Sequence, residues 1–554
     1  MSRPRLLLIA VLSLIFIVAV WLWWMRPVSV DLARYAPADS LLYLEANNPT
    51  AIIDALHNTD ALKILNRSPV TASGGHWFRS FVRWTGIGPS DTVILSRAQL
   101  AIVITQFGTT TEADTVTVKP EGALIIETHT SGSRVNGPMQ RALQKFSETI
   151  FGTPTVSRKL IDGQEFSEWS APNSTRQIVA THVGSVLIIG NTERSVQKVV
   201  RVVLGHESNL LGDGELQNLR KAIVTSDTLA LGYVPAKSSP QLLSAALPLV
   251  LGHAPDNAEL SRLVTTSAAN IIGNLGWTCR VSGAGIEDRY HIAIQRSVIA
   301  QLDNAFATLP TVEPVDVKAG TASQTVYRFA HPDIAWQALN TAVSSHVDAV
   351  SAILFTALFK SALLPYGVSD PMKFFGLARS PVTTARIEGS SNSLLIAGSN
   401  DDRGMAELLT AMGYARTDWN AQSQTFTNSE SEFTARLAKG QIVIGSADDV
   451  ARYPSLVNGV SINNTAQPSA TACVMTFADD SRRVQDFLGA LLLAGASARQ
   501  LSANEQAAIH ALPFATTETI FTSEGVDRVT HSPLGQFSSI LPLVFPISPP
   551  TATP

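Results

Sequence analysis

Cysteine is all but missing from this chain. Two residues, Cys279 and Cys473, among 554 cannot build a disulfide framework or a four-cysteine zinc site, so stability has to come from buried apolar surface. Charge is scarce as well, at 16% of residues, and its signs nearly cancel: 41 basic against 45 acidic side chains, net −4. That removes the positive footprint that a nucleic-acid binder needs, and nucleic acid is not expected as a partner. With 35 Gly and 29 Pro the chain is neither collagen-like nor a low-complexity polymer. What abounds is apolar side chain, at 45%. That is too much for disorder, and the length calls for roughly two to four folded units.

Motifs that carry chemistry are missing too. No Gly-x-Ser-x-Gly elbow presents a nucleophile on a strained turn. The eleven His include no His-Glu-x-x-His arrangement that would set two imidazoles on one helix face for zinc. His531 and Ser532 are neighbours, but consecutive strand residues point to opposite faces and make a poor base–nucleophile pair. Asn400-Asp401-Asp402 and Asp448-Asp449 lack the alternating ligands, central Gly and distal Glu of a calcium loop. They read as helix starts, where a carboxylate opposes the helix dipole and caps N–H groups. Gly283-Ala284-Gly285-Ile286-Glu287 opens like a dinucleotide loop, but it has no third Gly and runs into another strand, which makes it a turn. No catalytic residue, cofactor-binding residue or metal ligand is assigned, no cofactor is expected, and the chain is read as non-enzymatic. His129, His291, His331 and His531 are expected to be dispensable, and Cys279 and Cys473 to be two buried thiols, since a free Cys packs as a small hydrophobe.

What is present begins with Leu6 to Trp24, an apolar run without one charge and close to the roughly 20 residues a membrane-spanning helix needs. It exceeds the h-region of a cleaved signal, and no small-x-small cleavage site follows it. Arg3 and Arg5 precede it and Arg26 follows, so the N-terminus is expected in the cytoplasm and the bulk of the chain in the periplasm or outside the cell. Trp21, Trp23 and Trp24 suit the far interface. Two other apolar stretches, Val347 to Tyr366 and Val484 to Ala498, are read as helices of the folded body. The first carries Asp348 and Lys360, and the second is too short to span a bilayer.

Beyond the anchor, three kinds of unit recur in the same order. A strand running into a capped helix starts at Leu41, Leu229, Val326 and Ala472. A hairpin feeding a helix starts at Gln177, Thr383 and Phe433, with a weaker relative at Ala123. Gly184, Gly389 and Gly440 lie in the three turns, and Asn191, Asn400 or Ser446 are placed to cap the helices that follow. A Gly-turn hairpin at Thr278 and again at Thr519 closes each series. The expected fold is therefore α+β: a transmembrane helix followed by two similar bodies, each an antiparallel sheet with helices packed on it, related by tandem duplication. The boundaries are an anchor at 1–26, a first body at 30–298, a linker at 299–318, a second body at 319–542 and a disordered Pro-rich tail at 543–554. The first copy carries extra loop sequence around Ser68 to Ser96. Segments starting at Gly252, Ala307 and Asn458 read as loops or linkers.

The phrase APADSLLYL just after the anchor, the strands VLIIG, LLIAG and IVIG before acidic helix starts, and the late GVDRVTHSPLGQFSSI resemble the domain of unknown function 3352 family of bacterial membrane-anchored proteins. The likeness would run from about Ala36 to Ile540 and implies an anchored, extracytoplasmic body with no reaction, substrate or catalytic residue to transfer. The expected function is a membrane-tethered envelope protein that binds an envelope protein or lipid. The alternatives are a hydrolase with a site assembled from scattered residues, and a lipid-handling protein using the apolar helices around Ile353 to Leu364 and Leu488 to Leu493.

Overall fold

A computed structural model describes residues 29–66, 97–112, 115–172, 174–251, 255–302, 305–309, 317–347, 349–417, 423–457, 469–493 and 500–539. The anchor Leu6 to Trp24, the extra loop around Ser68 to Ser96, most of the loop starting at Asn458 and the tail 543–554 lie outside the described residues.

The first ten strands are β1 (Leu42–Ala46), β2 (Gln99–Glu112), β3 (Thr115–Glu127), β4 (Thr155–Ile161), β5 (Gln164–Ser170), β6 (Gln177–Val183), β7 (Val186–Gly190), β8 (Ala230–Val234), β9 (Ile272–Ser282) and β10 (Gly285–Ile294). The next ten are β11 (Thr321–Tyr327), β12 (Ala378–Ile387), β13 (Leu394–Ser399), β14 (Ala415–Arg416), β15 (Ser423–Thr427), β16 (Phe433–Ala438), β17 (Gln441–Ser446), β18 (Val474–Ala478), β19 (Ala515–Phe521) and β20 (Gly525–Ser532). Every pairing between them is antiparallel. In the first set the neighbours run β4, β5, β6, β7, β3, β2, β1, β8, β9, β10. In the second they run β14, β15, β16, β17, β13, β12, β11, β18, β19, β20. β10 and β20 then pair with each other, so among the described residues the two expected sheets are one open, 20-stranded sheet. Outward from the β10/β20 seam, both halves read the same strand order.

The register carries the correspondence to single residues. Arg289 lies opposite Val529 in the seam. From Arg289 the cross-strand row runs Thr278, Leu231, Glu45, Ala101, Ile125, Ile188. From Val529 it runs Glu518, Met475, Val326, Thr383, Ile396, Val443. Because side chains alternate across a sheet, each row belongs to one face, called the front.

Both faces are covered, which is why β7, β13 and β17 read as nearly unbroken apolar runs. On the front, the helix Glu193–Val203 buries Val196, Val199 and Val200 against Ile125, Val186 and Ile188. Its counterpart Ala447–Val457 places Val450 against Ile396 and Val443. On the back, the helix Gly132–Phe151 covers Ile126, Ala180 and Leu187, and the helix Asp402–Ala411 covers Leu395, Ala397 and Ile444. Helices from the two halves also pack on each other across the back of the seam. Leu56, Ile64 and Leu65, from the helices after β1, meet Val484, Phe487 and Leu488, from the helix Ser481–Leu493 after β18. Ala335 and Ala342, from the helix Pro332–Ser344 after β11, meet Val298, Leu302 and Phe306.

Local chemistry sets the helix starts, with some corrections to the sequence reading. Asn48, Thr192, Asp213 and Asp401 accept backbone N–H groups of the turns they open, and Ser502 with Glu505 forms a capping box. Ser446 accepts the N–H of Asp449 at 3.2 Å, as expected. Asn191 and Asn400 do not cap. Asn191 instead ties the end of β7 to β3, accepting from the Gly122 N–H at 3.0 Å and donating to the Pro120 carbonyl at 2.6 Å. The segment after Gly252, expected as a loop, starts the helix Pro255–Ile271, because Pro fits the first helical turn, where no N–H is needed. The linker 299–318 is partly core: Leu302, Phe306 and Val317 are buried. Among the described residues no single helix is long and apolar enough to cross a membrane.

Candidate functional site

Ionisable groups concentrate along the seam. In β10, Glu287 and His291 stand two and six residues after Gly285, and in β20 Asp527 and His531 keep the same spacing after Gly525. Antiparallel pairing sets Glu287 opposite His531 and His291 opposite Asp527, so the two imidazole–carboxylate pairs are exchanged by a local two-fold through Arg289 and Val529. The His291 Nδ1–H donates to Asp527 Oδ1 at 2.7 Å, while His531 Nδ1 lies 3.9 Å from Glu287 Oε2. The hydrogen bond that His291 donates to Asp527 raises its pKa above the ordinary value. Glu287, almost fully buried, takes a bidentate pair from Arg280 at 2.9 and 2.9 Å. The glycines obey the same symmetry. A Cβ on Gly285 would collide with the Ser532 carbonyl, and one on Gly525 with the Ile292 carbonyl, so each strand needs Gly where its partner's backbone comes closest.

The two sides of the seam differ. On the back, Asp288 is buried, accepting the Trp277 indole N–H at 2.9 Å and the Gln536 N–H at 3.0 Å, and burial pushes its carboxyl up to about 6. On the front, Arg280, Arg289, Asp527 and His531 remain 36 to 47% exposed. Together they form a polar, mixed-charge strip between the apolar clusters of the two halves.

A second cluster fastens the residues that follow the apolar N-terminal run. Val30 exchanges two hydrogen bonds with the buried Gln99, at 2.8 and 2.9 Å. The Tyr35 hydroxyl donates to Glu127 Oε2 at 2.9 Å, and burial together with that carboxylate pushes the phenol up to about 12. The other Glu127 oxygen accepts the His129 N–H at 2.9 Å, and His129 Nε2–H donates to Gln99 at 3.1 Å. Arg220 binds Asp31 at 2.7 and 3.1 Å and Glu45 at 2.8 Å, and Glu45 also accepts from Tyr43 at 2.5 Å. Burial raises the pKa of Glu45. An open cleft lined by Tyr35, Glu127, His129 and Gly184 lies beside this cluster.

Of the four histidines singled out in the sequence, the seam brings His291 and His531 together. His129 belongs to the N-terminal fastening, and His331 sits exposed at the start of the helix Pro332–Ser344. Ser532 uses its hydroxyl to accept the Gly535 N–H at 2.9 Å. Asp401 caps a helix, and Asp449 accepts from Ser390 at 2.6 Å and Ser446 at 2.7 Å. Cys279 and Cys473 are buried and unpaired with each other, and burial pushes the Cys473 thiol up to about 11. Sequence reasoning missed the carboxylate partners Glu287 and Asp527, although their equal spacing from Gly285 and Gly525 was a usable signal. It had no local signal for Arg220 or Gln99, whose partners are far away in the chain, or for the Glu127–Tyr35 bond, which spans 92 residues.

No family model matches the chain, and no curated protein sequence matches it. Among solved structures it is similar to crystal form IV of TP0453, at 12% identity and a TM-score of 0.24, covering 48% of this chain and 81% of that one. Crystal form I of the same protein gives 9% identity and a TM-score of 0.22, covering 51% and 89%.

Proposed function

We propose that the chain is a membrane-tethered extracytoplasmic protein without catalytic activity, built by tandem duplication of one α+β unit, that binds another component of the bacterial envelope. The observation that carries this reading is how the chain is held just after its apolar run. Only five residues separate Trp24 from Val30, a reach of about 20 Å at full extension. From Val30 onward the backbone is fastened by Gln99, Glu127 and Arg220, so the tether holds the body close to the bilayer. The resemblance to the domain of unknown function 3352 family agrees with such a placement.

The duplication is supported by the common strand order outward from the seam and by the exchanged Glu287–His531 and Asp527–His291 pairs. A binding role is supported by the exposed polar strip over the seam, which offers both charge signs on a rigid four-strand platform. Its imidazoles and carboxylates already serve each other or Arg280, a use that favours holding strands together over bond-making.

Protease added to spheroplasts is expected to degrade everything after about Arg26, and protection of the body would overturn the topology. Single Ala substitutions at His129, His291, His331 and His531 are expected to leave the cellular role intact, whereas deletion of the anchor abolishes it. Loss of that role from one His substitution, with folding and membrane placement preserved, would make that imidazole a catalytic or metal-binding group.

A further inference from the structure

The helix Ala349–Ser361, in the second half, is apolar on the wrong side. Its inward residue Phe359 packs edge-on against Trp336, with ring centroids 5.2 Å apart. Its outward stripe is no more polar: Ile353 is 70% and Leu354 37% exposed, Ala357 is also exposed, and Lys360 is the helix's sole charge. Leu364, in the 3-10 turn Leu364–Tyr366, Met372, in the short helix Pro371–Leu377, and Ile334, in the helix before it, extend the patch at 42 to 49% exposure. A helix that is hydrophobic all round belongs in a core or in a membrane, and these side chains are not in the core. Its counterparts after β1 behave differently, burying Ala55, Leu56, Ile64 and Leu65 against the helix Ser481–Leu493.

We infer that this helix is a lipid-contacting face, lying in the headgroup boundary of the same membrane that holds the N-terminal run. The inference rests on the tethered reading above. Thirteen residues make a helix of about 20 Å, short of the roughly 30 Å hydrocarbon core, and the chain bends by 64° before the helix Pro371–Leu377. The segment therefore lies in the interface and does not span it. Ile353, Leu354 and Ala357 face the acyl chains, and Lys360 reaches back to the headgroups along its aliphatic stem.

The place of the tether gives the second contact its purpose. Val30 is fixed to Gln99 of β2 in the first half, while the helix follows β11 in the second. At about 4.8 Å per strand, 20 strands extend on the order of 90 Å. A tether on one half leaves the other free to swing away from the membrane. A lipid contact on the second half lays the sheet along the surface.

The test uses the full chain reconstituted in phosphatidylethanolamine–phosphatidylglycerol vesicles, with Ile353→Cys or, as control, Asn392→Cys in the exposed β12–β13 turn, each carrying an environment-sensitive fluorophore. The native thiols are buried and stay unlabelled. The inference expects brominated acyl chains to quench the label at 353 and not at 392. Equal, weak quenching at both sites would overturn it, as would a blue shift at 353 that grows with protein concentration in detergent, which would assign the patch to a second copy of the chain. Carbonate washing reads the tether separately. Retention of the chain without quenching at 353 removes the helix contact and leaves the tether, whereas release with quenching preserved removes the tether and leaves the helix contact.

Discussion

The two halves place different chemistry at the same point of the sheet. Counting outward from the seam along one row, the fourth residue is Glu45 in the first half and Val326 in the second. Around Glu45 stand Tyr43, Arg220 and Asp31. Around Val326 stand Met475, Phe477 and Val317, an apolar cluster. One strand order thus tolerates a buried ionic network or a hydrophobic core at equivalent positions, and the difference follows the chain. The first half must hold the residues that emerge from the apolar N-terminal run, and Asp31 ties that segment to Arg220. The second half has no such duty there. The weight of the core shifts accordingly: the larger apolar cluster of the first half lies on the front, under the helix Glu193–Val203, and that of the second half lies on the back, under the helix Asp402–Ala411.

If the seam makes one cooperative body of these unlike halves, damage to either must be felt by both. Trp169→Ala in the first half and Phe374→Ala in the second each empty a fully buried site and are expected to cost about 3–5 kcal/mol. Each should move a single calorimetric transition. Two transitions, only one of which moves, would show that the halves unfold independently and break the comparison at its root.

Arg220→Ala sharpens the contrast itself. It leaves Asp31 and Glu45 without their cation and is expected to cost about 3–5 kcal/mol in denaturant unfolding. The double change Arg220→Met with Glu45→Val carries the second half's solution into the first and should recover most of that loss, to within about 1 kcal/mol. A double variant as unstable as the single one would mean that the first half cannot accept the apolar pattern.

The smallest effect concerns pH. His291 has a raised pKa in the folded state. Its contribution is therefore full below its ordinary value near 6.5 and is lost as pH rises through the folded-state value. Asp288, held up at about 6 by burial, acts in the same sense over a more acidic window, because the folded state binds its proton more tightly and stability falls as pH climbs from about 4 towards 6. His291→Ala should flatten the decline of Tm above pH 6.5 by the equivalent of about 1 kcal/mol and leave the Asp288 window unchanged. An unaltered slope would detach the imidazole from seam stability.

Much of this arrangement was legible in the sequence wherever one local signal decided the structure. The units at Leu41, Thr383 and Phe433 each combine an apolar strand with a turn Gly or a capping side chain and appear as read, with Gly184, Gly389 and Gly440 at positive φ, whereas the strand read from Val326 already starts at Thr321 and His331 does not cap the helix that follows. The hairpin of β4 and β5 was missed because β4 is an exposed edge strand, so its residues lack a buried alternation. β14 is only two residues long. The seam was hidden for another reason. Its pairs join residues about 240 positions apart, and nothing local in either strand says which edge it will meet. His291 and His531 could be picked out singly, but their carboxylates could not be assigned to them.

The central claim is that β10 and β20 meet across a local two-fold with Arg289 opposite Val529. Directly opposed residues in antiparallel strands have Cβ atoms about 4.5–5.5 Å apart, near enough for a disulfide after a small adjustment. Oxidising an Arg289→Cys/Val529→Cys variant of the full chain and mapping the linked peptides by mass spectrometry tests it most directly. The account predicts an intramolecular 289–529 disulfide in nearly every molecule, with Arg289→Cys/Thr522→Cys failing to close under the same conditions. Absence of the 289–529 link, or its formation only between two chains, would contradict the seam and with it the symmetric reading of the two halves.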